Sequence, residues 1–161
     1  MNHGAAGLTH FDRIVVNTSR EVRIEIGPAY GATYEGQPPG LSTVDSTLEI
    51  HDDAGTGGLV TIQVPHLARL THAGAGAVQV RGVAQRRIQL LARGEGMLLV
   101  SGRVSLLVAE LAGEGDVDMA GLNAAHGHLI NNGSGQMTAS VRNMVRVDRG
   151  DGGRVRLLPT A

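Results

Sequence analysis

A glycine triplet that recurs along the chain constrains the fold more than any other feature of the sequence. Four Gly-x-Gly triplets begin at Gly74, Gly94, Gly113 and Gly133, and a looser Asp-Gly-Gly begins at Asp151. Their starts are separated by 20, 19, 20 and 18 residues. A period near twenty residues is typical of stacked repeats, because one such repeat is too small to bury its own apolar face.

Three apolar columns keep phase with the triplets, two positions after, four positions after and four positions before each one. The columns contain Val78, Leu98, Val117, Met137 and Val155; Val80, Val100, Met119, Ala139 and Leu157; and Leu70, Leu90, Ala109, Leu129 and Val147. Alternation along a strand sends one face inward and the other outward. The pattern therefore predicts an all-β fold, a right-handed parallel β-helix (β-solenoid) whose rungs lie about 4.8 Å apart.

The triplets are predicted to be the corners of this β-helix. A glycine can take the positive φ of a sharp turn and carries no side chain to clash with the next rung. A phosphate loop is excluded because strands, not helices, follow the triplets. The structural turn glycines are predicted to be Gly74, Gly76, Gly94, Gly96, Gly113, Gly115, Gly133, Gly135, Gly152 and Gly153.

The first part of the chain is organised differently. Residues 11–66 contain short alternating strands such as "EVRIEIG" and "VTIQVP", separated by segments rich in glycine and proline. We expect an N-terminal tail at 1–10, irregular opening strands that cap one end at 11–66, and β-helix repeats at 67–161, within a single domain.

Composition excludes several classes of function. The 14 basic residues are all arginine, and with 15 acidic residues the net charge is −1, which gives no reason to expect nucleic-acid binding. The lack of cysteine excludes disulfides and thiolate metal sites. No apolar run reaches membrane-spanning length. The sequence shows no basic segment followed by an apolar one, so it predicts no signal peptide.

Candidate catalytic and metal-binding groups are few. Glu95 and Glu114 occupy the same position of adjacent triplets, so they are expected to stack one rung apart. A glycosidase also needs a cleft and sugar-stacking aromatics, yet the chain has one Phe, two Tyr and no Trp. His126 and His128 lie two apart without a third ligand, and arginines are expected beside them. We predict no catalytic residue, no metal and no cofactor.

Two polar residues fall in a nominally inward column, two positions before their triplets. They are His72 and Asn131, whose counterparts in the other repeats are Ala92 and Leu111. Buried polar groups are almost always hydrogen-bonded. We therefore expect both side chains to bond the corner backbone.

The repeat "GEGDVDMAGL" resembles the signature of the autotransporter-adhesin head domain, the GIN domain family, which runs roughly Gly-Ser-Gly-Asp-Val-x-Val-x-Gly. The opening "FDRIVVNTSREVRIEIGP" and the passage "VTIQVPHLARLTHAGAG" are similar to the corresponding parts of that family. The resemblance covers Phe11 to Leu157. It implies a β-helix outside the cytoplasm, often tied to the cell surface, without an established activity. A cytoplasmic location is the alternative, because the sequence shows no leader.

Three functions are compatible with the sequence. The first is a non-enzymatic scaffold that acts as a surface interaction or adhesion module, with a cell-surface glycan or protein as its partner. The second is a self-polymerising structural protein of filament type. The third, a polysaccharide-active enzyme, rests on analogy with other β-helices and is opposed by the shortage of aromatics.

Charge is distributed unevenly along the chain. Residues 1–66 hold eight acidic residues and three arginines, whereas residues 67–161 hold seven acidic residues and eleven arginines. If the rungs stack in chain order, one end is acidic and the other is basic. An unpaired strand edge tends to associate with another chain. We therefore predict a homo-oligomer or polymer that forms through the last rung, at Arg154, Arg156 and Leu157.

Overall fold

The computed structural model describes residues 3–6, 11–36, 39–51, 58–150 and 153–158, without the side chains of 3–6, 144 and 145. All regular structure in these ranges is β, in thirteen strands of one sheet. Their bounds are β1 His3–Ala6, β2 Arg13–Asn17, β3 Val22–Ile26, β4 Gly31–Glu35, β5 Gly40–Val44, β6 Thr47–His51, β7 Val60–Val64, β8 Arg69–His72, β9 Val78–Ala92, β10 Leu98–Leu111, β11 Val117–Asn131, β12 Gln136–Arg149 and β13 Arg154–Leu158. Among the described residues, none belongs to a helix long and apolar enough to cross a membrane.

The repeats stack as parallel coils of a β-solenoid, which confirms the predicted fold class. Strands β9, β10, β11 and β12 pair in parallel with their neighbours, and β13 adds a final partial coil. The register places Val78 beside Leu98, Leu98 beside Val117, and Val117 beside Met137. Because the partners are residues of one apolar column, the sequence period is the length of one coil.

The first two coils do not stack in chain order, so the condition attached to the predicted charge distribution is not met there. Strand β2 lies between β6 and β8, and β3 lies between β7 and β9. The coil made by β6 and β7 is therefore farther from the repeats than the coil made by β2 and β3, although it comes later in the chain. Alternating strands specify an inward face but not a neighbour, so the sequence left this order open.

Antiparallel strands close the N-terminal end. Strand β4 pairs with β7 and β1, and β5 pairs with β6. The β5–β6 hairpin turns through Asp45 and Ser46, which have φ values of 49° and 66°. Two central residues with positive φ match the twist of a tight hairpin. Arg20, itself buried, fastens this cap by donating to the carbonyl oxygens of Gly58 (3.0 Å) and Glu35 (2.7 Å).

One hydrophobic core fills the solenoid from the cap to the last coils. Its members come from the opening strands as well as the repeats, since Ile14, Ile24 and Ile50 are as completely buried as Leu90 and Leu129. Burying one such side chain contributes about 1.5–3 kcal/mol, so each coil is stabilised only when a neighbour covers it. The interior is therefore packed with side chains, and only the outer surface is available to a partner.

Candidate functional site

The triplets lie at the bends between strands, where successive coils come closest together. A methyl group added at Gly94 would overlap the carbonyl oxygen of Gly74, and one added at Gly115 would overlap that of Gly96. The same clash recurs at every described triplet glycine, namely Gly74, Gly76, Gly94, Gly96, Gly113, Gly115, Gly133, Gly135 and Gly153. Gly152 lies outside the described residues. The proposed structural role at these bends rests on this close approach between main chains.

The positive φ predicted for these bends is wrong. The described glycines with positive φ are Gly36, Gly82 and Gly102, and the described triplet glycines lie outside the left-handed region. Gly82 and Gly102 bend β9 and β10 partway along their length, between two faces of the coil. The triplets need glycine because of the neighbouring coil, whereas these bends need it for their own backbone conformation.

Two buried polar side chains brace the bends from inside, as predicted. The Nε2 of His72 lies 2.7 Å from the carbonyl oxygen of Gly76, while its Nδ1 has no partner in the described structure. Asn131 donates to the carbonyl oxygens of Gly135 (3.0 Å) and Arg154 (2.8 Å) and accepts from the amide of Gly133 (3.0 Å). Burial lowers the pKa of His72 below its ordinary value, and the bond to Gly76 partly offsets this effect.

The acidic residues near the bends serve the backbone or face solvent. Asp116 accepts a hydrogen bond from the amide of Gln136 at 2.8 Å, and Asp118 accepts one from the amide of Ala120 at 3.0 Å. Glu95 and Glu114 belong to triplets whose backbones are hydrogen-bonded one coil apart, and both side chains are exposed at their bends. These carboxylates do not line an enclosed cleft.

The two histidines considered for a metal point to one outer face, but their surroundings differ from the prediction. In neighbouring strands, His126 lies beside Leu106 and Asn143, and His128 lies beside Val108 and Arg146. The expected neighbours were Arg86 and Arg87. His128 contacts the carboxylate of Asp148 at 3.3 Å, and Arg146 contacts the same carboxylate at 2.9 Å. The bond from His128 and the charge of Arg146 lower the pKa of Asp148.

No cluster of three or more potential metal ligands occurs in the part of the chain that the structure describes. His128 instead shares the carboxylate of Asp148 with Arg146 in a surface cluster of three side chains. An arginine beside the shared carboxylate competes with any cation for its charge.

A basic groove that the sequence did not predict crosses the outer face built by β2, β8 and the end of β9. Three adjoining concavities of about 460, 360 and 510 Å³ form it. The first two share Arg13 and Arg69, and the last two share Arg93. Arg86 and Arg87 line the first. We call this surface the arginine groove, defined by these five residues.

Only a weak signal for this groove was present in the sequence. Arg69 is the first residue of β8, and Arg93 directly follows the end of β9 in the next coil. Both face outward, which the repeat alone could have indicated. Arg13 joins them because β2 lies directly on β8, with Arg13 beside Arg69. That pairing follows from the exchanged coil order.

Comparisons with known proteins agree with this architecture. The family described as "Putative auto-transporter adhesin, head GIN domain" matches residues 10–160. The chain belongs to this family. No curated protein matches it in sequence.

Solved structures share the fold of this GIN domain. A "putative adhesin" from Bacteroides fragilis is 15% identical with a TM-score of 0.70, over 98% of this chain and 96% of that one. A "putative lipid binding protein" from Parabacteroides distasonis is 11% identical with a TM-score of 0.53, over 98% and 96% of the two chains. At such low identity the likeness establishes the β-solenoid alone.

The last coil of the GIN domain is open on its outer side. Strand β13 pairs only with β12 within the described ranges, through residues 136–140. Leu157 belongs to an inward column, beside Ala139, yet 49% of its surface is exposed because no described coil covers it. Arg154 and Arg156 are exposed on the same strand.

Proposed function

We propose that this GIN domain is a non-enzymatic β-solenoid scaffold that acts through its outer surface as an interaction or adhesion module. The observation that carries the proposal is the packed interior, which leaves only outward strand faces and shallow grooves for a partner. Membership of a family described as an adhesin head supports the same reading.

The disposition of the carboxylates and aromatics argues against a polysaccharide-cleaving enzyme. Glycoside hydrolysis needs two carboxyl groups that flank the scissile bond inside a shaped site. The stacked carboxylates nearest to that arrangement, Glu95 and Glu114, belong to surface bends. Phe11 is buried against Tyr30, with ring centroids 5.2 Å apart, and Tyr34 packs against the core. These rings pack within the cap and are not arranged along a sugar-binding cleft.

Binding and turnover measurements on the same preparation test this proposal. Immobilised protein is incubated with an array of neutral and acidic glycans and with protein extracts of cell surfaces, and release of reducing ends is followed in parallel. We expect saturable binding without release of product. Hydrolysis that disappears in the double variant Glu95→Gln and Glu114→Gln would show that the domain is an enzyme.

Self-association through the last coil is a second candidate, favoured by the open edge of β13. An edge strand offers unpaired N–H and C=O groups, and the partly exposed Leu157 adds apolar surface. Arg154 and Arg156 make this edge basic, whereas the cap carries Glu35, Asp45 and Glu49. Opposite charges at the two ends favour head-to-tail contact that weakens as salt screens them.

Sedimentation velocity over a range of protein and salt concentrations tests this second candidate. Association that grows with protein concentration and falls with salt is the expected result. A protein that stays monomeric at low salt and high concentration would contradict it, and would leave the interaction module as the remaining proposal.

A further inference from the structure

The arginine groove is strongly basic, because its five arginines share the lining with one carboxylate of the described residues, that of Glu95 in the third concavity. Arg69, Arg86, Arg87 and Arg93 are exposed, and none of them has a described carboxylate within salt-bridge distance. Arg13 has only a long contact of 3.9 Å with Asp12. Since arginine is always charged at physiological pH, the groove holds several cations with little internal neutralisation.

The floor of the groove is apolar and recessed. Leu91 points to the outer face, yet only 5% of its surface is exposed, and Val15 is half-buried nearby. Both line the middle concavity, together with the hydroxyl side chains of Thr47 and Thr71. Charged guanidinium groups around a recessed floor favour a ligand that enters the groove over one that rests on its rim.

Hydrogen bonding fixes one end of the groove. The side-chain amide of Gln85 donates to the carbonyl oxygens of Leu67 and Arg87, both at 2.6 Å. These two hydrogen bonds connect the segment before β8 to β9 and so hold Arg69 and Arg87 in the same concavity. Gln85 is a positioning residue, since it acts on the arginines through the backbone.

The chemistry of the walls narrows the class of ligand. In a parallel stack, the main-chain groups of β2 and β8 are used by strands on both sides, so along these two strands the groove offers side chains to a ligand. An extended peptide would leave its own backbone unpaired there. A chain that carries hydroxyl and anionic groups would find guanidinium, hydroxyl and amide partners along the whole groove.

Flat anionic surfaces and nucleic acids fit less well. Glu49 lies one strand outside Val15, and Glu110 lies one strand outside Leu91, so carboxylates border the groove on both sides. These borders repel a broad anionic surface such as a membrane but leave space for a narrow chain. Single-stranded nucleic acid usually stacks on several aromatic rings, and among the described residues no Phe, Tyr or Trp lines these concavities, where His66 is the one ring.

We propose that the arginine groove binds a linear acidic polysaccharide, whose carboxylate or sulfate groups pair with Arg13, Arg69, Arg86, Arg87 and Arg93. Arg87 lies on β9 and Arg93 directly follows its last residue, and six positions of extended chain correspond to about 20 Å, so the groove spans several sugar units. This inference rests on the proposed interaction function and names its ligand class.

Isothermal titration calorimetry at low salt tests this proposed binding of an acidic polysaccharide. Polygalacturonate is the carboxylate probe, dextran sulfate is the sulfate probe, and unmodified dextran is the neutral probe. We expect at least one acidic polymer to bind and unmodified dextran not to bind. Affinity should fall steeply with added salt, because counterions compete for the arginines. The two acidic probes distinguish the sources of the anionic group.

The decisive comparison uses two variants with equal loss of charge. Arg69→Gln with Arg93→Gln alters the groove, whereas Arg103→Gln with Arg142→Gln alters a separate concavity. The groove variant should weaken binding at least about tenfold, because each lost arginine removes a charge-assisted hydrogen bond. The control variant should weaken it less than about twofold.

Three outcomes would overturn the proposal: equal weakening in both variants, no binding of either acidic polymer, or tighter groove-dependent binding of an oligonucleotide or an anionic vesicle. The broader function can survive such a failure. Binding of a neutral glycan or a protein that is unaffected by the groove variant would reject the acidic ligand and keep the interaction module.

Discussion

The buried histidine of strand β8 makes the stability of this GIN domain depend on pH in a definite direction. His72 has no exposed surface, and its Nε2 lies 2.7 Å from the carbonyl oxygen of Gly76. Protonation would place a charge on an imidazole whose Nδ1 has no partner in the described structure. Desolvation therefore lowers the pKa of His72 in the folded state below its ordinary value of 6.5, and the bond to Gly76 offsets only part of this effect.

The sign follows from proton binding. Below about pH 6.5 the unfolded chain protonates this histidine and the folded chain resists doing so, so acid favours unfolding. The stabilisation is fully present above the unfolded pKa and is lost as the pH falls. If the folded imidazole stays neutral, the contribution lost between pH 7.5 and pH 5.5 reaches about 1.4 kcal/mol, which is an upper limit.

The matched variant is His72→Asn, because Asn131 already braces the equivalent bend of a later coil. An amide at position 72 can donate to Gly76 as Asn131 donates to Gly135. The smaller side chain changes the stability by a constant amount, so the informative quantity is the change with pH. Urea unfolding at intervals between pH 5.5 and 7.5 measures it.

The expected result is that the wild type loses stability relative to His72→Asn as the pH falls. The control His126→Asn removes an exposed histidine and should keep the wild-type dependence. The reasoning would be refuted if His72→Asn followed the wild-type curve at every pH, or if the wild type gained stability in acid relative to this variant.

Three further predictions concern the bends and the open edge. Gly115→Val should cost about 1–3 kcal/mol because its side chain overlaps the neighbouring coil, whereas Ser134→Val at an exposed bend should cost little; equal melting temperatures would contradict the close-packed bend. Glu95→Gln with Glu114→Gln should keep the fold and raise the melting temperature slightly, and loss of a calcium-dependent thermal shift would reveal a cation site there. Leu157→Pro should abolish concentration-dependent association in sedimentation, whereas Leu157→Ala should reduce it; association unchanged by the proline would place the contact elsewhere.

The repeat made most of the solenoid predictable. Where a period of about twenty residues carries apolar columns, the residue beside Leu98 must be its column neighbour, and the structure places Val117 there. The polar residues in an inward column were also interpretable, because a buried His72 or Asn131 must find a hydrogen-bond partner. The positive φ predicted for the triplet glycines was wrong, because a periodic glycine does not reveal whether the neighbouring coil or its own backbone requires it.

The opening strands were harder, for a different physical reason. The alternation of β2 or β6 specifies which side chains face the core, and several stacking orders satisfy that requirement equally well. The sequence therefore indicated an end cap but not the position of β2 inside the stack. The arginine groove was missed for the same reason, since it depends on which strand lies beside β8.

The exchanged coil order and the arginine groove are two consequences of one arrangement. Stacking in chain order would place β6 between β2 and β8, and Glu49 would then lie in the outward column between Val15 and Thr71. A carboxylate at that position would neutralise the groove at its centre. In the observed order Val15 lies directly beside Thr71, and Glu49 moves to the border. The stacking order that completes the core of the opening coils therefore also keeps the centre of the basic surface free of negative charge.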